Sequence, residues 1–101
     1  MTFSEFELCT KNNEPTFGLT LFLKALWLDA KGDWQQAHEI IQEIETKDGS
    51  WMHAYLHRKE GDDSNASYWY NQAGKKFPVV DLTEEWKNLS IYFLEKGASK
   101  S

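Results

Sequence analysis

His53, His57 and Glu60 are the residues whose types and spacing come nearest to a chemical site. On a helix, positions i, i+4 and i+7 fall within a narrow arc, so all three side chains leave one face. Two imidazoles and a carboxylate are a ligand set for zinc or iron. A divalent metal is therefore the one cofactor the pattern suggests. The zinc-protease pattern HExxH is absent, because Ala54 follows His53. A buried, hydrogen-bonded histidine pair explains the same residues without a metal, and both readings stand at this point. The remaining histidine, His38, falls on a polar helix face and reads as solvated.

Trp51, Tyr55 and Arg58 form a second stripe at the same spacing. Aromatic rings beside an arginine are what binding hot spots are built from, and a guanidinium suits a carboxylate or a phosphate. The competing reading puts Trp51 and Tyr55 in the core with Arg58 lying over them. In Tyr68-Trp69-Tyr70, one helix cannot bury three consecutive rings. Trp69 and Tyr70 suit the core, and Tyr68 points elsewhere, toward a partner. The acidic run Glu60 to Asn65 has the composition of part of a calcium loop but lacks its ligand alternation and closing Glu, so it reads as a turn with a helix cap. Cys9 has no base patterned around it. Phosphate loops, nucleophile elbows and CxxC pairs are missing, so no residue is assigned a catalytic role.

Composition narrows the classes further. The chain has 101 residues, enough for one domain, with 41% apolar and 27% charged residues, as in ordinary globular proteins. A net charge of −5 argues against nucleic acid and against an anionic membrane as partner. A lone cysteine rules out a disulfide scaffold. The first residues lack the apolar stretch of a signal peptide, and the most apolar window, Phe17 to Leu28, is broken by Gly18, Thr20 and Lys24. These features place the protein in the cytoplasm.

The elements that must position the candidate residues are helical. Ser4 to Glu7 has the form of a capping box for a short helix ending near Thr10. Phe17 to Ala30 is apolar almost all round, which predicts a central helix; a strand is the rival for its first half. Lys31-Gly32 ends it, and Asp33 caps an amphipathic helix carrying Trp34, Ala37, Ile41 and Ile44 on one stripe. Thr46 to Ser50 closes that helix. The next runs from about Ser50 to Lys59, ends at Gly61, and is followed by one from about Ser64 to Lys75, capped by Asp62 or Asp63 and stopped by Pro78. Its inner stripe is Ala66, Trp69, Tyr70, Ala73 and Phe77. Thr83 caps a last helix, ended by Lys96-Gly97.

Ala25, Gly32 and Ala37 recur as Ala54, Gly61 and Ala66, an offset of about 29 residues, with Asp following each Gly. A small residue on each helix lets the pair approach closely, and Gly-Asp makes the turn and caps the second helix. The unit resembles the tetratricopeptide repeat, a helix-turn-helix of about 34 residues. Ala54, Ala66, Tyr70, Ala73 and Pro78 fall on that repeat's small, small, aromatic, small and proline positions. The first copy departs from it, with Ile41 and Ile44 where an aromatic and a small residue are usual. In the repeat register, Trp51, Tyr55 and Arg58 face the concave groove, and His53 and His57 lie where apolar residues meet the partner helix. The run HxxxHRxEGDxxNAxYWYxxAG, His53 to Gly74, also resembles a family of small uncharacterised proteins with a tetratricopeptide-like fold. That implies a fold and carries no activity with it.

The expected architecture is all-α: an N-terminal extension over residues 1–14, two tetratricopeptide-like hairpins over 16–77 stacked in right-handed fashion, and a capping helix over 83–96, all in one domain. The expected function is non-catalytic recognition of a peptide or protein in a groove lined by Trp51, Tyr55 and Arg58, with Tyr68 as a further contact. The alternatives are a helical homodimer scaffold and a small metal- or ligand-dependent enzyme using His53, His57 and Glu60.

Overall fold

Four buried alanines set the architecture. Ala25, Ala37, Ala54 and Ala66 are all fully buried, and they are the small residues of the repeated pattern. The computed structural model of the chain describes residues 1–12 and 18–98. These form six helices: α1 (Phe3–Cys9), α2 (Leu21–Ala30), α3 (Trp34–Ile41), α4 (Lys47–Lys59), α5 (Asp63–Gln72) and α6 (Leu82–Ala98). Helices α2 and α3 pair as one hairpin and α4 and α5 as a second, and α6 packs against α2, α4 and α1. The protein is therefore all-α, with two helix-turn-helix hairpins in a tetratricopeptide-like arrangement closed by a C-terminal helix. The strand alternative for the first apolar segment is not what forms; its residues from Leu21 onward are helical.

The two hairpin turns are built alike. Gly32 (φ +89°) and Gly61 (φ +88°) occupy the left-handed region that ends a helix at low cost. The amides of Asp33 and Asp62 then donate to the carbonyls of Leu28 and His57, each at 2.9 Å. Their carboxylates cap α3 and α5 by accepting from the amides of Gln36 (3.1 Å) and Asn65 (3.3 Å).

Several helix boundaries differ from the sequence reading. The N-cap of α1 is Thr2, not Ser4: Thr2 and Glu5 make the reciprocal capping box at 2.7 and 3.1 Å. That frame turns Phe6 and Cys9 inward, and both are buried. Thr20 caps α2, its hydroxyl accepting from the Leu23 amide; Phe17, the expected start, lies outside the described residues. Thr46 caps α4 through the Gly49 amide at 3.0 Å, so Lys47 to Ser50 begins a helix instead of closing one. Helix α5 stops at Gly74 (φ +73°), before Lys75 and Pro78. Asp81, not Thr83, caps α6 by accepting from the Glu84 amide at 2.8 Å, and α6 continues past Lys96 to Ala98.

The core joins both hairpins to the terminal helices. Phe6, Leu26, Ile41, Met52, Leu56, Leu89 and Phe93 are buried together. The Phe22 and Phe93 rings stack at 4.2 Å, and Trp86 stacks on Phe6 while its indole N–H donates to the Leu26 carbonyl at 3.1 Å. No helix among the described residues is long and apolar enough to cross a membrane.

Candidate functional site

The junction of the two hairpins gathers three imidazoles. His38 leaves α3; His53 and His57 leave α4, one turn apart. One ring nitrogen from each lies within 4.8 Å of the others. The Nε2 atoms of His38 and His53 are 3.0 Å apart, so one ring donates and the other accepts. The His53 and His57 rings stack at 4.8 Å. His38 is thus a central member of the cluster, contrary to its reading as a solvated residue. The helical pattern of α3 alone puts it on a polar face; the crossing of α4 over that face covers it.

Two indoles wall the cluster. Trp34 stacks on His38 at 4.8 Å and meets His57 edge-on at 6.0 Å. Its N–H donates to the Leu56 carbonyl at 2.7 Å, which fixes the ring across the hairpin junction. Trp69 of α5 stacks on His53 at 4.1 Å. Burial, reinforced by the neighbouring imidazoles His38 and His57, pushes the His53 imidazole down to about 4. Burial, followed by His57, also lowers His38, with Glu60 and Glu39 opposing. His53 is therefore neutral at physiological pH, with a ring lone pair to share.

Glu60 stays with His57 but is not grouped with His53. Its Oε1 is 2.6 Å from His57 Nδ1, and it groups with His57 and Asp62 on the more exposed side. A proton on Nδ1 directed at this carboxylate would leave Nε2 as the His57 nitrogen able to bind a metal. This is how carboxylates orient metal-ligating imidazoles. Of the expected set, His53 and His57 come together with His38, and Glu60 supports His57.

The stripe of Trp51, Tyr55 and Arg58 lies under α6. Glu85, buried at 2% exposure, accepts from Arg58 Nη1 (2.8 Å), the Tyr70 hydroxyl (2.6 Å) and Trp51 Nε1 (3.2 Å). Arg58 also donates to the Val80 carbonyl at 2.5 Å. Tyr55 is in the core and donates to Asp29 at 2.8 Å, whose other oxygen receives Lys59 at 2.9 Å. The guanidinium has found a carboxylate, as its chemistry suggests, but one from its own chain. Tyr68 is exposed, edge-on to Trp69 at 5.0 Å. Asp29 and Glu85 had sequence signals, a lone acid in an apolar helix and an acid one residue before Trp86 in the last, but neither signal names a partner.

A cleft of about 450 Å³ adjoins His53, with Trp69, Gln42, Glu45, Ser50 and Gln72 also in its wall. A second cleft of about 420 Å³, bordered by Asp29, Tyr55, Lys59 and Trp86, lies on the other side of α4. Fold and site together define a small all-α protein of two helical hairpins with an imidazole cluster at their junction. No family model, curated protein or solved structure matches the chain.

Proposed function

We propose that the chain is a cytoplasmic, tetratricopeptide-like binding module, without catalysis of its own, that holds a divalent transition-metal ion through His38, His53 and His57. The convergence of three ring nitrogens within 4.8 Å, from both hairpins, carries this reading. Tetrahedral coordination with metal–nitrogen distances of about 2.0–2.1 Å places ligand nitrogens roughly 3.3 Å apart. The 3.0 Å His38–His53 separation is already near that value. Neutral imidazoles suit zinc, copper, nickel or cobalt and disfavour magnesium and calcium. Glu60 supplies the outer hydrogen bond such a ligand set uses.

Titration with zinc, followed through the histidine ring resonances and by calorimetry, tests the reading. The expected result is saturable binding at one ion per chain that moves all three rings and is lost in His38→Ala and His57→Ala. Rings indifferent to zinc would remove the metal and leave a hydrogen-bonded histidine cluster.

The exposure of Tyr68 favours a second reading, in which the α5 face contacts a protein, here a second copy of the chain. Sedimentation across a wide concentration range decides it: self-association weakened by Tyr68→Ser supports it, and a monomer throughout ends it.

A further inference from the structure

We infer that the ion at the imidazole cluster keeps one coordination position for a small Lewis base from solution, water or a small anion, which reaches it along the cleft beside His53. The inference rests on the metal-binding reading above and deepens it.

The ligand count carries it first. The cluster supplies three nitrogens, and zinc or cobalt asks for at least four donors. The carboxylate nearest in sequence, Glu60, is committed to His57 Nδ1 at 2.6 Å, across that ring from Nε2. Trp34 and Trp69, stacked on His38 and His53, offer no lone pair in the ring plane. Three protein ligands with the fourth position taken from solution is the arrangement of an open site, as distinct from a closed structural one.

Access carries it second. His53 is at once a member of the cluster and part of the cleft wall, with Gln42, Glu45, Ser50, Trp69 and Gln72 around it. A volume of about 450 Å³ admits several small molecules. Charge carries it third. Three neutral imidazoles leave the full double positive charge on the ion, so a monoanion is drawn to it. Among the described residues Glu45 is the one acid in the cleft wall, and Glu39 and Glu60 lie near the cluster. These acids moderate the attraction without supplying a donor. A bound water would be acidified toward neutrality by the same charge.

The cobalt-loaded protein, titrated with azide, tests this, because the visible absorption of cobalt reports its coordination. The expected result is a saturable spectral change with azide, cobalt remaining bound. Gln72→Trp, which narrows the cleft from α5, should weaken azide several-fold and leave cobalt affinity unchanged. Two results overturn the inference. One is a cobalt spectrum indifferent to azide. The other is a spectrum that becomes sensitive to azide only in Glu60→Gln, which makes Glu60 the fourth ligand and the site closed. Failure to take up cobalt at all is a separate result; it defeats the metal reading itself.

Discussion

At the scale of single residues, burial decides what each polar side chain does. The His53 imidazole is held down to about 4 by its surroundings, against 6.5 when free. Folding therefore excludes a proton that the unfolded chain accepts. His53 therefore costs nothing above about pH 6.5, and stability falls as pH drops from there toward 4. His38, lowered for the same reason, acts in the same direction. Urea midpoints of the metal-free protein should fall between about pH 7 and pH 5, and His53→Phe should flatten that fall. Equal slopes in the two proteins would mean that other groups dominate. The buried tyrosines make a different point. Burial first, then Asp29 beside Tyr55 and Glu85 beside Tyr70, pushes both phenols upward, so both remain donors. Tyr70→Phe removes a donor to the buried Glu85 carboxylate and should cost about 1–3 kcal/mol in chemical denaturation. An unchanged midpoint would show that Arg58 and Trp51 satisfy Glu85 alone.

At the scale of elements, glycines mark both the turns and a close approach, and only the turns were legible. Gly32 and Gly61, each followed by an aspartate, read directly as helix stops, and they are. Gly49 read the same way and is the opposite, the third residue of α4. A side chain at Gly49 would run into the Ile44 carbonyl, a backbone atom that has no room to move aside. Propensity penalises glycine in a helix by about 1 kcal/mol, and here the close approach of the turn that precedes the helix overrides it. The same limit moved the caps: Thr2 and Ser4 each head a plausible capping box, and only the inward turn of Phe6 and Cys9 selects Thr2. Gly49→Ala should destabilise by about 1–3 kcal/mol through overpacking. Gly61→Ala meets no atom within 4 Å and should cost only about 1 kcal/mol, from its left-handed backbone. The reverse ranking would place Gly49 in a looser junction than this one.

At the scale of the whole molecule, what the sequence could not show was which surfaces meet. Periodicity within one helix identified His53 and His57 as neighbours, and the repeat identified two hairpins. Neither says that α3 turns His38 onto α4, nor that α6 lays Glu85 across the stripe expected to be a groove. Both facts come from how hairpins stack, a relation between segments distant in the chain. The stacking also gives a bound ion a mechanical consequence. His38 belongs to the first hairpin and His53 and His57 to the second, so one ion would tie them together across their junction. An ion that binds only the folded chain stabilises it by mass action, about 2.7 kcal/mol at a hundredfold excess over Kd. In a domain of this size that corresponds to roughly 10–20 °C in Tm. Thermal unfolding with and without zinc should show that rise in the wild type. His38→Ala keeps two ligands, both on α4, and should lose nearly all of it, because the remaining pair would no longer span the hairpins. If zinc instead raised the Tm of His38→Ala as far as that of the wild type, the ion would be held within the second hairpin, by α4 or by His57 with Glu60 and Asp62, and the junction would owe its rigidity to Trp34, Met52 and Leu56 without help from a metal.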